Sequence, residues 1–375
     1  MMSGINQIRH AGIVLTVSLI LAAVAGALFY KHQKDALINE AFSRLALYHD
    51  LRKATLQDYM RSKASDVVAM SLNERVLKGL HQLENAWLEF GPYASDAIRA
   101  RYIIENPYDF GERRKLRSSG DNSLYTKVHP EIHDWARRFL EHFGYYDVFL
   151  IDAKGNILYT VEKEEDFATN LLSGRYADSP LGFVFQRAVK TRSKSVIFSD
   201  FERYAPSNNA PALFAGSPIR SSDGRVIGVF AVQLPAKPIN DILRYTEGMG
   251  KTGETYIVGN DKTMRSQSRF SNESTLLDTK VDTLSVRRGL GGFEGAHVIP
   301  NHRGVPVLSV FSPVDFGGEP WVLLAEIDEA EILANLQLWP ALIAALIAAI
   351  LGAFVCRFVL VLLQHVRAKP RIRSI

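Results

Sequence analysis

One stretch of this chain occurs twice, and the repetition limits the folds that the chain can adopt. Residues 211–233 contain two apolar runs rich in Val, Ile and Phe, joined by an Asp-Gly turn. This pattern predicts a β-hairpin. Residues 306–328 carry a similar pattern without a gap, shifted by 95 positions, so that Ser217 aligns with Ser312. The chain therefore carries one β-unit twice.

A second pair of similar segments precedes the two hairpins. Residues 145–156 and residues 253–264 each predict a short strand that runs into a turn of Asp, Lys and Gly or Thr. The two motifs follow each other in the same order in both halves, and the earlier copy has about thirteen more residues between them. The sequence therefore predicts two α+β modules in tandem, the first with an insertion.

Two uncharged apolar segments flank these modules. Residues 11–30 and residues 332–356 are each long enough to span a bilayer. Basic residues, which favour the cytoplasmic side, lie at the outer ends of both segments: Arg9, Arg357, Arg367, Lys369, Arg371 and Arg373. This topology places residues 31–337 outside a bacterial inner membrane.

The first apolar segment has a second interpretation, a cleaved signal peptide. Residues 23–25 and 25–27 both offer small-residue cleavage sites. Either interpretation leaves the modules outside the cytoplasm. The only cysteine, Cys356, lies in the second apolar segment, so no disulfide is expected.

The net charge of +4 arises from the two ends of the chain. Without the six basic residues just named, the remaining chain carries about −2. Nucleic-acid binding normally needs a basic face. The sequence therefore predicts no nucleic-acid partner.

The segment after the first span predicts a stalk helix. Residues 31–75 contain no proline and carry apolar residues at helical spacing. The apolar face of this helix packs either on the chain's own sheets alone or also on a second copy of the chain. The second alternative would give a homodimer.

Further helices are expected at Leu72–Leu88, at Ile239–Tyr245 and at His129–Phe143, which Pro130 would open. A helix over 329–337 is expected to run directly into the second span. The predicted strands are Tyr145–Ile151, Ile157–Val161, Val196–Phe201, both arms of the first hairpin, Glu254–Val258, Ala296–Ile299, Val305–Val314 and Trp321–Ile327.

These elements predict an α+β fold of two tandem PAS-like modules on a long stalk helix, flanked by two transmembrane helices. The expected organisation along the chain is a cytoplasmic N-terminus at 1–10, a first span at 11–30, the stalk at 31–75, a membrane-distal module at 76–240, a membrane-proximal module at 241–330, a helix and second span at 331–363, and a basic cytoplasmic tail at 364–375.

Two motifs resemble chemical sites but lack the context that the chemistry needs. Gly248, Gly250 and Gly253 have the spacing of a dinucleotide fingerprint, but a predicted helix precedes them and a strand follows, the reverse of the required order. His129 and His133 are four residues apart, yet nothing in the sequence completes a metal site. No nucleophile elbow or zinc-protease motif occurs. We therefore expect no catalytic site, no metal and no cofactor.

Polar residues are dense in residues 159–170 and 199–207. In a PAS-like fold both segments flank the concave side of the sheet, where they can close over a small molecule. The alternative is that residues 162–166 form a solvated loop. The expected pocket residues combine both charge signs with tyrosine walls: Tyr146, Tyr159, Lys163, Asp166, Asn170, Asp200 and Tyr204. They would suit a zwitterionic ligand, or one that bears a carboxylate or an amine.

Four segments resemble the double Cache family, the extracytoplasmic sensors of bacterial chemoreceptors, histidine kinases and nucleotide cyclases. They are residues 145–152, 159–171, 250–270 and 303–314. With the spans and the stalk, the resemblance covers nearly the whole chain. It implies a small-molecule pocket in the membrane-distal module, a dimer along the stalk helices, and signalling by small helix displacements.

The chain departs from this family's pattern at two places. Residues 162–166 read Glu-Lys-Glu-Glu-Asp where the amino-acid-binding branch has Arg-x-Trp-Tyr, although Asp200 lies about where that branch has its amine-binding aspartate. Family members also continue into an output domain, whereas residues 366–375 here end in Arg-Ser-Ile, similar to the start of a HAMP linker. The chain is expected to be a truncated receptor or a sensor that acts through a separate cytoplasmic partner.

A receptor that is not an enzyme is the expected class. The competing class is a two-span structural membrane protein such as a polysaccharide co-polymerase, which is dominated by long helices. An enzyme is the third class. The β-content of the external region distinguishes the first two.

Overall fold

The computed structural model describes residues 2–192, 195–245 and 247–368. Within these ranges the chain forms nine α-helices and ten β-strands in two sheets. This mixture confirms the α+β class, and the ten strands do not match the helix-dominated alternative. Of the basic residues at the ends, Lys369, Arg371 and Arg373 lie outside the described residues.

The first helix, α1 (Met2–Ser71), is continuous through the predicted span and most of the predicted stalk, and it ends four residues before the predicted stalk end at 75, because Asn73 caps a separate helix. The last helix, α9 (Trp339–Ala368), contains the second apolar segment. By length and composition, α1 from Gly12 onward and α9 over Trp339–Val359 could each cross a membrane. A Cβ atom at Gly26 would come within 3.3 Å of Ala345, so the missing side chain lets the two helices approach closely.

The first sheet has six strands: β1 (Asp147–Asp152), β2 (Ile157–Thr160), β3 (Ile197–Phe198), β4 (Glu202–Tyr204), β5 (Ala210–Arg220) and β6 (Val226–Leu234). Their order is β2-β1-β6-β5-β3, and β4 also pairs with β5. The repeat hairpin is β5 and β6, and its turn contains Gly224 at φ +84°. Five strands were predicted. The additional strand arises because Glu202–Tyr204 pairs with β5 apart from β3.

Helices cover both faces of this sheet: α2 (Glu74–Glu89), α3 (Ala94–Arg99), α4 (Leu124–Phe143) and α5 (Pro180–Ala188). The predicted start of α4 at Pro130 was wrong, since Pro130 lies inside the helix. The true start is fixed by Ser123, whose hydroxyl accepts a hydrogen bond of 3.2 Å from the Thr126 N–H. A side-chain cap of this kind stabilises a helix N-terminus.

The second sheet has four strands: β7 (Glu254–Val258), β8 (Gly295–Pro300), β9 (Pro306–Phe316) and β10 (Glu319–Asp328), in the order β7-β10-β9-β8. The helix α6 (Ala236–Arg244) precedes it, and α7 (Leu284–Leu290) packs on one face. The second copy of the repeat hairpin is β9 and β10, joined by Gly317 and Gly318, both with positive φ.

The predicted helix over 329–337 is not continuous with the second span. A short helix, α8 (Glu329–Leu333), follows β10, and residues 334–338 are not helical before α9 begins at Trp339. The expectation of an unbroken connection was therefore wrong. Pro340 explains the new start, because proline has no N–H to continue a helix but is favoured in a helix's first turn.

The described residues divide into two compact units. One contains the residues before Leu45, Pro306–Leu308, and the residues after Glu326; the other contains the remainder, including most of both sheets. Within the second unit, the stalk part of α1 contacts both sheets. The Ser71 hydroxyl donates to Ser217 at 3.1 Å, and the Lys53 ammonium donates to Ser312 at 2.9 Å. The two serines that align in the repeat thus make equivalent contacts with one helix.

Candidate ligand site

A polar segment that follows β2 turns back into the first sheet. Residues 161–170 include Lys163 and Ala168, which have φ values of +55° and +58° although neither is glycine. Such backbone conformations are uncommon for residues with side chains and concentrate at functional sites. The Lys163 side chain is fully buried, and its ammonium lies 3.2 Å from the Val161 carbonyl oxygen and 3.4 Å from His133 Nδ1. The interpretation of residues 162–166 as a solvated loop was wrong, because Glu162, Lys163, Glu164 and Asp166 are all buried.

Two carboxylates of this segment accept hydrogen bonds from hydroxyl groups on other elements. Glu164 accepts from the Tyr146 hydroxyl at 2.7 Å and from the Ser207 hydroxyl at 2.5 Å. Asp166 Oδ2 accepts from the Tyr204 hydroxyl at 2.5 Å. These bonds connect the segment to the start of β1, to β4 and to the residues after β4.

Two acceptor atoms beside these bonds are buried without a hydrogen-bond partner among the described residues. They are Asp166 Oδ1 and Gln233 Oε1. Leaving a buried acceptor unpaired costs about 1–3 kcal/mol. A native structure keeps such atoms where a ligand or water can satisfy them.

Asp147 fixes the base of the site. It lies opposite Gln233 where β1 pairs with β6. Its Oδ1 accepts from the Val148 and Val161 N–H groups at 2.7 and 2.8 Å, and the Thr160 hydroxyl donates to its other oxygen. Asp147 thereby positions the residues from which the polar segment begins.

We name these residues the buried polar cluster. Its members are Tyr146, Asp147, Lys163, Glu164, Asp166, Tyr204, Ser207 and Gln233.

Two histidines of α4 lie beside the cluster and are neutral in character. The rings of His129 and His133 are stacked with centroids 4.9 Å apart. His133 Nδ1 is 2.8 Å from the Tyr159 hydroxyl, and its Nε2 is 2.8 Å from the Arg114 carbonyl oxygen. Burial, together with the neighbouring charge of Lys163, lowers the pKa of His133 to about 3. Among the described residues, no group of three or more His, Cys, Asp or Glu side chains could hold a metal ion.

Arginines from α3 and from the loop after it cover the segment from outside. Arg113 lies 3.2 Å from Glu165, and Arg114 lies 3.2 Å from Glu162. Arg99 donates to the Glu165 and Phe167 carbonyl oxygens at 2.7 and 2.8 Å. These guanidinium groups already have acidic or carbonyl partners, so they hold the segment closed.

Burial shifts the pKa values of three groups of the site towards 7. It raises the pKa of Asp166 and of Glu162 to about 7, and it lowers the pKa of Lys163 to about 7. Desolvation disfavours the charged form of each group. Perturbed values of this kind concentrate at functional sites, although structural networks also produce them.

The structure separates the residues expected from the sequence into two groups. Tyr146, Lys163, Asp166 and Tyr204 belong to the buried polar cluster, and Tyr159 reaches it through its hydrogen bond to His133. Asn170 and Asp200 do not join them. Asn170 instead closes a turn, donating to Asn156 Oδ1 and the Lys154 carbonyl oxygen at 2.9 Å each.

Asp200 lies at a contact between the two sheets. It accepts from Arg265 Nε at 2.9 Å, from Arg265 Nη2 at 2.7 Å and from the Trp321 indole N–H at 2.9 Å. Trp321 is fully buried, and its ring stacks on Phe316 at 3.8 Å. We name Asp200, Arg265 and Trp321 the sheet junction.

Sequence reasoning did not select Asp147, Glu164, Ser207 or Gln233 for the site. A usable signal was present for the first and last of these. Asp147 and Gln233 are polar residues in strands that are otherwise apolar, at positions that strand pairing places opposite each other.

The family model for the Cache domain matches residues 36–336 of this chain. No curated relative matches the sequence. Among solved structures, the sensory domain of the Campylobacter jejuni chemoreceptor Tlp3 is 12% identical over 81% of this chain and 100% of that chain, with a TM-score of 0.49.

Two other solved structures are similar. The sensor domain of the V. cholerae histidine kinase DctB is 13% identical over 79% of this chain and 98% of that chain, with a TM-score of 0.43. An extracellular ligand binding receptor from Desulfohalobium retbaense is 14% identical over 65% of this chain, with a TM-score of 0.39, and this chain spans only 39% of its length. The family match covers most of the present sequence, and it agrees with the resemblance found in the residues themselves. The chain belongs to the Cache domain family.

Proposed function

We propose that this protein is a membrane-bound sensor, not an enzyme, whose first sheet binds a small molecule at the buried polar cluster. The observation that carries the proposal is the pair of unpaired buried acceptors, Asp166 Oδ1 and Gln233 Oε1, inside an otherwise bonded polar network. Membership of the Cache domain family supports a sensor role.

The unpaired atoms favour a ligand that donates hydrogen bonds. Gln233 Oε1 can only accept, Asp166 Oδ1 accepts when its carboxyl is ionised, and an ammonium group offers several N–H donors. A ligand carboxylate would instead need a cation, and Arg113 and Arg114 already pair with Glu165 and Glu162. The Lys163 ammonium already contacts the Val161 carbonyl oxygen and His133, and burial lowers its pKa to about 7, which weakens it as a carboxylate partner. Of the alternatives that the sequence left open, we therefore propose a small amine-bearing ligand.

This proposal predicts the behaviour of an isosteric pair of variants. A thermal-unfolding screen of the full chain against amines, amino acids and organic acids should find a stabilising amine. A ligand at 100 times its dissociation constant stabilises by about 2.7 kcal/mol. In Asp166→Asn, where an acceptor oxygen is replaced by a donor, we expect that stabilisation to be lost.

The matched control is Asp223→Asn on the exposed turn between β5 and β6, which should keep the full response. Equal stabilisation of wild type and Asp166→Asn by the best amine would contradict the proposed site. A response only to organic acids would contradict the ligand class.

We further propose that ligand binding is transmitted across the membrane within a homodimer, to a separate cytoplasmic partner or to an output region. Chain continuity supports this route, since β10 is followed directly by α8 and, after five residues, by α9. The sensor region would then lie on the extracytoplasmic side of an inner membrane.

The dimer predicts crosslinks on one face of the stalk. Leu45 is buried in its own chain, whereas Leu47 and Leu51 are 68% and 52% exposed and one helical turn apart. We expect cysteines introduced at Leu47 or Leu51 to crosslink between copies in membranes. Cysteine at the exposed Asp223, in the turn between β5 and β6, is the control and should not crosslink. The absence of any crosslink along the stalk would rule out a dimer through this face.

A further inference from the structure

The second sheet contains a buried pair of carboxylates at the edge where β7 starts and β10 ends. Glu254 and Glu326 lie directly opposite each other in the β7–β10 pairing. They are only 4% and 3% exposed. Carboxylates are rarely so buried unless a partner compensates them.

The two carboxylates differ in how they are satisfied. Glu254 Oε1 accepts from the Ser268 hydroxyl at 2.5 Å and from the Arg269 N–H at 2.8 Å. Glu326 Oε1 is buried and has no hydrogen-bond partner among the described residues. The hydroxyl of the fully buried Tyr256 faces the Glu326 carboxyl without completing a hydrogen bond of normal geometry.

A third unsatisfied atom lies at the same place. His302 Nδ1 is buried without a partner, and the His302 ring meets the Tyr256 ring edge-on with centroids 5.9 Å apart. A buried carboxylate oxygen, a phenol and an imidazole nitrogen therefore converge with free hydrogen-bonding capacity. His302 is only half-buried, so it marks the side open to solvent.

This place corresponds to the buried polar cluster in the first sheet. There, Asp147 starts β1 opposite Gln233 near the end of β6, and β1 and β6 are the repeat counterparts of β7 and β10. The helix-covered face is also the same. A Cβ atom at Gly289 of α7 would clash with Val322, which shares its face with Glu326, and one at Gly216 would clash with Val184 of α5.

The Arg303 guanidinium favours the ionised form of Glu326 from a distance, without forming an ion pair with it. Among the described residues, no lysine or arginine side chain forms an ion pair with Glu254 or Glu326. The nearby Arg269 and Arg303 guanidinium groups instead lie over the Phe270 ring, at 4.8 and 4.6 Å from its centroid. Burial, aided by Glu254, raises the pKa of Glu326 to about 7.

We propose that the second sheet holds a second small-molecule site, centred on Glu326 and Tyr256, that binds a primary ammonium group. An ammonium group carries three N–H donors and one positive charge. It can therefore donate to Glu326 Oε1 and to the Tyr256 oxygen while offsetting the carboxylate pair. The site is separate from the one proposed on the first sheet.

The test measures binding of methylammonium to the full chain in detergent micelles by titration calorimetry. The Asp166→Asn variant removes the proposed first site and should keep one saturable methylammonium site. Adding Glu326→Gln should weaken that remaining site at least tenfold, and adding Tyr256→Phe instead should weaken it several-fold. Tetramethylammonium, which has the charge but no N–H donor, should not bind there.

The outcomes separate the two sites. Methylammonium binding that is unchanged by Glu326→Gln, or no saturable binding to Asp166→Asn, overturns the second site. If Asp166→Asn still binds methylammonium at two sites, the first proposed site is contradicted and the second is not. Because Glu326→Gln is isosteric, we expect its thermal unfolding midpoint to match or exceed that of the parent. If Glu326→Gln unfolds at a lower temperature than its parent, Tyr256→Phe replaces it in the test. An unchanged affinity of Tyr256→Phe for methylammonium would equally overturn the proposal.

Discussion

Replacing Asp200 with alanine is expected to lower the free energy of unfolding by about 3 kcal/mol. The variant leaves the Arg265 guanidinium, which is 4% exposed, without the carboxylate that receives two of its N–H groups. Removing one partner of a buried ion pair typically costs about 3–5 kcal/mol. We expect the lower end of that range because Asp261 remains 2.9 Å from Arg265. Urea unfolding followed by tryptophan fluorescence measures the change.

Two comparisons make this result specific to the sheet junction. Asp223→Ala removes an exposed carboxylate that pairs with Arg225 and should change the stability far less than Asp200→Ala does. The double variant Asp200→Ala, Arg265→Met should be more stable than Asp200→Ala alone, because no buried charge is left uncompensated. If Asp200→Ala behaves like Asp223→Ala, the junction contributes nothing to stability.

The stability of wild type relative to Asp166→Asn is expected to fall as pH rises from about 4 to about 7. Burial raises the pKa of Asp166 from 3.8 to about 7. The native state thus binds this proton more tightly than the unfolded state. Its contribution is complete below the unfolded value and is lost as pH passes through the native value. The loss amounts to at most about 4 kcal/mol, since each tenfold change in proton affinity is worth about 1.4 kcal/mol. Asparagine cannot ionise, so the difference between the two proteins isolates this group.

Unfolding curves of both proteins across this pH range measure the difference, with Asp223→Asn as the control. The pKa of Asp223 is lowered to about 2 by its hydrogen bonds to Ser221 and Arg225. Its contribution is therefore already complete above about pH 4 and should be constant in this window. If the stability difference between wild type and Asp166→Asn is also constant across this pH range, Asp166 is ionised in the native state.

The fold could be predicted from the sequence wherever a local pattern determines it. Alternating apolar runs and glycine turns identified both hairpins, and the predicted strand Glu254–Val258 has the observed bounds. The predictions at Pro130 and at residues 329–337 were wrong in opposite ways. Pro130 does not start α4, because the cap at Ser123 starts that helix earlier, whereas Pro340 lies in the first turn of α9 and the expected continuous helix is interrupted before it.

The candidate site could be predicted only in its local part. Lys163 and Asp166 stand out because charged residues are dense in one segment. Asp200 resembled a ligand residue because its neighbours in sequence are polar, yet its partners are Arg265 and Trp321, more than sixty positions away. Sequence spacing carries no information about such a distant partner. The pairing of Asp147 with Gln233 was missed for the same reason.

The contacts of α1 with the two repeat serines have a consequence in terms of helical phase. Lys53 meets Ser312 and Ser71 meets Ser217, and the two helix residues are 18 positions apart. At 3.6 residues per turn this separation is five whole turns, so both contacts lie on one side of the helix, about 27 Å apart. A single residue inserted between Lys53 and Ser71 would rotate one contact by about 100° relative to the other. An insertion of seven residues would restore the phase to within about 20° but would move the two contacts about 10 Å further apart along the axis. The length of α1 between Lys53 and Ser71 is therefore fixed by the spacing of the two serines as well as by the helical phase.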